Sequence, residues 1–168
     1  MENENEDVLI VYISYHHNNT ENVVREIGGE LNARLVDLEN DRVPDLTDYE
    51  LLGFGSGIYF GKHHKKLLEF VDDLPDFSGK KAFLFATSGL RRLPVVHRFE
   101  KRLKSKVQSK KFDLVGEFYC RGYDTYSLLK YIGGIQNGHP DAEDLTEARR
   151  FAADLKNRLE EESKDGDN

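Results

Sequence analysis

Residues 14–20 read Ser-Tyr-His-His-Asn-Asn-Thr and lead into a helix-like stretch, ENVVREIGGEL. Hydroxyls, carboxamides and imidazoles at a helix start suit an anion. The free backbone N–H groups and the positive end of the helix dipole point at it. Ser14, Asn18, Asn19 and Thr20 can add side-chain hydrogen bonds. His16 and His17 can donate too, and an anion beside them raises their pKa. Asn18 tolerates positive φ, which an anion-wrapping loop often needs. The chemistry is that of a phosphate cradle. A plain polar turn with Asn19 or Thr20 as its N-cap uses the same residues.

Two further stretches join it. Ser56, Gly57, Ile58, Tyr59, Phe60 and Gly61 place two aromatics in a row between glycines. Beside a phosphate site, one of those aromatics suits stacking on a flat ring; packing on a neighbouring helix is the other use. Thr87, Ser88 and Gly89 offer small side chains and backbone amides to a ring edge.

The elements that must hold these loops alternate. Val8 to Ile13, Leu35 to Leu38, Leu51 to Ser56, Ala82 to Ala86 and Leu114 to Cys120 read as strands. The first is continuously apolar, so both of its faces are covered. Between them lie amphipathic stretches over Thr20–Leu31, His64–Leu74 and Val95–Val107, and a last one over Thr146–Leu159. The pattern predicts an α/β fold, a three-layer, doubly wound, five-stranded parallel sheet in the order 2-1-3-4-5. Ligands in such sheets bind beyond the carboxyl ends of the strands, where the order reverses. The three loops converge there. The link from Gly122 to Asp144 is long for a strand–helix connection, where about two to six residues are usual.

Composition narrows the class. The chain has 168 residues, 38% hydrophobic and 33% charged, with a net charge of −7. The length suits one domain, expected over 8–160, between disordered acidic tails at 1–7 and 161–168. A general nucleic-acid role is disfavoured by the negative balance. No apolar run approaches the roughly 20 residues of a membrane span. MENENED does not read as a signal peptide. Cys120 is the single cysteine and reads as a small buried hydrophobe. A cytoplasmic location is expected.

The motifs resemble those of the flavodoxin family. SYHHNNT (14–20) is similar to the family's phosphate loop, which ends in Asn-Thr at the helix start. GSGIYFG (55–61) resembles the second loop, where an aromatic just before Gly stacks on the isoalloxazine. ATSG (86–89) resembles the loop at the ring edge. The likeness spans roughly residues 8 to 160, with a short-chain look. It is nearest to small flavodoxin-domain proteins of bacteria and archaea with a Ser-x-His-His-x-Asn-Thr loop and a GYDTYSLLKYIGGIQNGHP-like segment. It implies FMN as cofactor and electron transfer to a redox protein or small acceptor. The alternative it implies is an FMN-dependent oxidoreductase acting on a quinone or porphyrin-like substrate, with a pocket walled by Tyr123, Tyr126, Tyr131 and His139. Two features depart from the pattern. Asn18 stands where the family usually has Gly, and LRRLPVVH lacks the aromatic that often covers the outer ring face.

A monomer or weak homodimer is expected, with neither a metal site nor a catalytic side chain. Lys62, Lys65, Lys66, Arg91, Arg92 and Arg98 form an expected basic rim around the loops, although the chain is acidic overall. Positive charge there favours an anionic reduced flavin.

Overall fold

The computed structural model describes residues 7–14, 19–59, 62–88, 98–121 and 140–166. Five strands lie parallel: β1 (Val8–Ile13), β2 (Arg34–Asp37), β3 (Leu51–Tyr59), β5 (Lys81–Ser88) and β6 (Asp113–Arg121). Their order is β2-β1-β3-β5-β6, the doubly wound arrangement expected. A two-residue strand, β4 (Lys62–His63), was not anticipated. It folds back antiparallel on β3, pairing Ile58 with His63 and Tyr59 with Lys62.

Helices cover both faces. Helices α1 (Asn19–Leu31) and α4 (Ala142–Gly166) lie on one side, α2 (Lys65–Asp73) and α3 (Arg98–Ser109) on the other. Strand residues alternate between the two cores because successive side chains point to opposite faces. Ile10, Phe83 and Phe85 pack with Val23, Val24 and Ile27 of α1 and Ala148, Ala152 and Leu155 of α4. Leu9, Val11, Phe54 and Leu84 pack with Leu67 and Val71 of α2 and Leu103 and Val107 of α3. Fully burying each such aliphatic side chain contributes about 1.5–3 kcal/mol before the entropy of ordering it is subtracted.

The centre of the sheet depends on two glycines. Gly53 and Gly55 of β3 pair with Phe83 and Phe85 of β5. A Cβ at Gly55 would lie 2.4 Å from the Phe85 ring, and one at Gly53 2.5 Å from that of Phe83. The rings therefore occupy the space where side chains on β3 would stand. At the edge, β6 shifts register opposite Ala82 and Phe83, a bulge that breaks the regularity of an otherwise open edge strand.

The ends differ from simple tails. The carbonyl of Asp7 accepts from the backbone N–H groups of Glu50 and Leu51 at 2.8 and 3.2 Å, fixing the start of β1 beside β3. At the other end, α4 continues past residue 160, where the domain was expected to end, to Gly166. Lys81 ties this extension to the sheet through Glu162 at 2.7 Å.

Candidate functional site

Strand register brings three expected loops to one edge. Ile13 pairs with Ser56, and Gly57 with Thr87, so the carboxyl ends of β1, β3 and β5 lie side by side. β2 lies beyond β1 and β5 beyond β3, so the order reverses between β1 and β3. This edge carries Ser14, Asn19, Thr20, Ser56, Gly57, Ile58, Thr87 and Ser88. The backbone of Tyr59 ends β3. His16, His17, Asn18, Phe60, Gly61 and Gly89 lie outside the described residues, as do Arg91, Arg92 and most of the Gly122–Asp144 link. The pocket expected around Tyr123, Tyr126, Tyr131 and His139 falls wholly there.

Hydroxyls organise the edge. Ser14 Oγ accepts the backbone N–H of Glu21 at 3.2 Å, so the residue that follows β1 bonds the first turn of α1. Thr20 and Thr87 are both buried, and their hydroxyls meet at 2.9 Å. That bond joins the first loop to the third across 67 residues of sequence. Two hydroxyls carry two protons and their mutual bond uses one. The second proton can serve an acceptor outside the pair. Likewise, Ser14 accepts from Glu21 and keeps its own proton to donate.

The Ser56 hydroxyl is held by hydrogen bonds within the protein. Ser56 is fully buried, and its hydroxyl is engaged within the β3–β4 hairpin. Ser56 Oγ donates to the Gly57 carbonyl at 2.8 Å and accepts the backbone N–H of His64 at 3.0 Å. His63 Nδ1 lies 3.0 Å from the same oxygen. With the hydroxyl proton on Gly57, this contact matches the neutral tautomer that carries its proton on Nδ1. His63 is only 4% exposed, and burial pushes its pKa down to about 3. His64, next along, caps α2: its Nδ1 accepts the Lys66 N–H at 3.3 Å. Burial also lowers the pKa of His64, the Glu39 carboxylate opposing that shift.

The sequence pattern did not connect His63 and His64 to Ser56. The available signal was Gly61 two residues after Tyr59, followed by Lys62-His63, a spacing that suits a two-residue hairpin loop. The rim itself is partly cancelled. Lys65 pairs with Glu69 at 3.1 Å and Lys66 with Glu39 at 3.3 Å. Lys62 stays exposed. Cys120 is half-buried at the edge of the α1/α4 core. No cluster that could hold a metal ion occurs among the described residues, and no helix among them is long and apolar enough to cross a membrane.

The doubly wound sheet thus sets a helix N-terminus beside small hydroxyl-bearing strand ends at the point where the strand order reverses. The flavodoxin domain matches residues 9–131, and the chain belongs to the flavodoxin-domain family. An uncharacterized protein of Methanocaldococcus jannaschii is 44% identical over 147 residues, spanning 88% of this chain and 96% of that one. Solved structures share the fold at lower identity. A flavodoxin from the domain Archaea aligns with a TM-score of 0.57 at 15% identity, over 91% of this chain and 98% of that one. Oxidised flavodoxin 2 from Bacillus cereus gives 0.65 at 17%, over 90% and 98%. General stress protein 14 of Treponema denticola, solved in complex with FMN, gives 0.56 at 12%, over 91% and 97%.

Proposed function

We propose that the protein binds FMN at the carboxyl edge of β1, β3 and β5 and carries electrons through it. The observation that carries the reading is the Thr20–Thr87 hydroxyl pair, which ties the start of α1 to the carboxyl end of β5 at the edge where the strand order reverses. Membership of the flavodoxin-domain family and a similar fold solved with FMN support it. The residues fit the group. The first N–H groups of α1, the Ser14 hydroxyl and the Asn19 amide suit the phosphate. The backbone at Gly57 and Ile58 and the small side chains of Thr87 and Ser88 suit the ring and its edge. Tyr59 or Phe60 stacks on the ring, and His16, His17, Asn18, Gly61 and Gly89 complete the loops.

FMN, when bound, supplies the redox chemistry. The chain's own residues bind it, orient it and set the field around it. No proton transfer or covalent step is assigned to a side chain. The buried Ser56–His63 pair holds the β3–β4 hairpin in shape and so positions the second loop.

Purified protein incubated with FMN and then desalted should keep the flavin absorbance bands at about one flavin per chain. Chemical reduction should bleach them, and a one-electron acceptor should restore them. Loss of all flavin on desalting would refute the cofactor assignment. Bound flavin that no acceptor reoxidises would refute the carrier role.

A further inference from the structure

An acidic chain carries one strongly basic segment. Residues 98–111 hold seven Lys or Arg and one Glu, a net of +6, so the other residues carry −13 of the total −7. The structure divides those cations along α3. Because β6 starts beside Lys81, at the amino edge of the sheet, α3 must run from the carboxyl edge back to the amino edge. Toward its far end Lys106 pairs with Asp72 and Lys111 with Asp76 at 2.5 Å, while Lys110 donates to the carbonyls of Asp72 and Leu74. One turn in from the start, Lys104 pairs with Glu117 of β6. In the first turns, Lys101 and Arg102 are exposed and pair with no acid among the described residues. β4 lies against α3, and its Lys62 is likewise exposed. Among the described residues, positive charge without an acid partner therefore gathers at the carboxyl-edge end of α3 and on the adjoining hairpin.

Charges that served only solubility would have no reason to sort in this way. Among the described residues, acids match Lys104, Lys106 and Lys111 and none matches Lys62, Lys101 or Arg102, which leaves a local positive field on an otherwise negative molecule. Such a field steers a negatively charged partner to one orientation and raises its encounter rate. We infer that Lys62, Lys101 and Arg102 form the docking surface for an acidic redox protein that exchanges electrons with this chain. The inference rests on the proposed FMN reading and adds the partner's charge and the face it meets.

The test measures binding rather than turnover. The probe is an acidic [2Fe–2S] ferredoxin, with a basic c-type cytochrome as its opposite. Affinity for the FMN-loaded protein is measured by calorimetry at low salt and again at higher salt. The ferredoxin should bind more tightly than the cytochrome, and salt should weaken it. The triple variant Lys62→Glu, Lys101→Glu and Arg102→Glu should bind ferredoxin about tenfold or more weakly. A control, Arg150→Glu, Lys156→Glu and Lys164→Glu on exposed positions of α4, makes the same change in net charge. It should leave the affinity within about twofold. Equal losses in the two triple variants, tighter binding of the cytochrome, or retention of a DNA duplex but not of ferredoxin would each overturn the docking assignment. Flavin content is read by absorbance in every sample. A flavin-loaded protein that ignores ferredoxin rejects the docking surface alone, whereas a protein that takes up no FMN rejects the cofactor reading and this assignment with it.

Discussion

Lowering the pH should destabilise this fold through His63, by an amount the structure sets. The ring is 4% exposed and donates to Ser56, and burial holds its pKa at about 3, against 6.5 in an unfolded chain. Below pH 6.5 the unfolded chain takes up a proton at this position and the folded chain does not, so stability falls as pH falls. The loss levels off only near the folded value of about 3. Each pH unit in this window costs about 1.4 kcal/mol, so descent from 6.5 to 5 costs about 2 kcal/mol. The whole window amounts to on the order of 4–5 kcal/mol, a large share of a typical domain's stability. Other histidines titrate too, so the comparison is with His63→Asn, whose amide can keep the donor to Ser56 and does not titrate. Urea unfolding at several pH values between about 7 and 5 gives both curves. The wild type should lose about 2 kcal/mol more than the variant. Parallel curves, or an imidazole resonance of His63 titrating near the ordinary value, would refute the reasoning.

Gly55→Ala forces a Cβ to 2.4 Å from the Phe85 ring and should cost about 1–3 kcal/mol in thermal or urea unfolding; Phe85→Leu in the same chain should recover part of it. Ser56→Ala removes the acceptor of two donors, His63 Nδ1 and the His64 N–H, and should cost about 2–3 kcal/mol by the same assays. Thr87→Val breaks the bond to Thr20. It should lower stability by about 1 kcal/mol and weaken FMN binding in a fluorescence titration. Reversing Lys62, Lys101 and Arg102 to Glu should make the two-electron potential of the FMN-loaded protein more negative, by on the order of tens of millivolts, in a redox titration. An unchanged potential would show that these charges do not reach the flavin.

Much of the fold was legible because a buried parallel sheet writes itself as short apolar runs separated by helical periodicity. VLIVYI became β1 with the bounds expected, and AFLFA became β5, longer by one residue at its start and two at its end. The third strand was read as ending at Ser56 but runs to Tyr59, because β4 pairs with its last residues. A two-residue strand has no periodicity to detect, so β4 was missed. The last helix was read from its apolar stripe, which ends near Leu159; the exposed residues beyond it carry no such stripe yet continue the helix. Within the site, the positions of Ser14 and Thr87 at the strand ends and of Thr20 at the start of α1 were legible from order along the chain. Their partners were not. The Thr20–Thr87 and Ser56–His63 contacts depend on register between strands, which local sequence does not encode. Lys65 and Lys66 looked like free rim charges because Glu39, the partner of Lys66, comes from another element and Glu69 lies one helical turn on.

The central claim is that this edge holds FMN by its phosphate as well as its ring. Titrating the purified protein with FMN and, separately, with riboflavin under fluorescence detection tests it most directly. Flavin quenching should saturate at one equivalent of FMN, and FMN should bind at least about tenfold more tightly than riboflavin, since the phosphate adds charge-assisted hydrogen bonds at the helix start. Equal affinity for the two flavins, or no quenching by FMN, would contradict it.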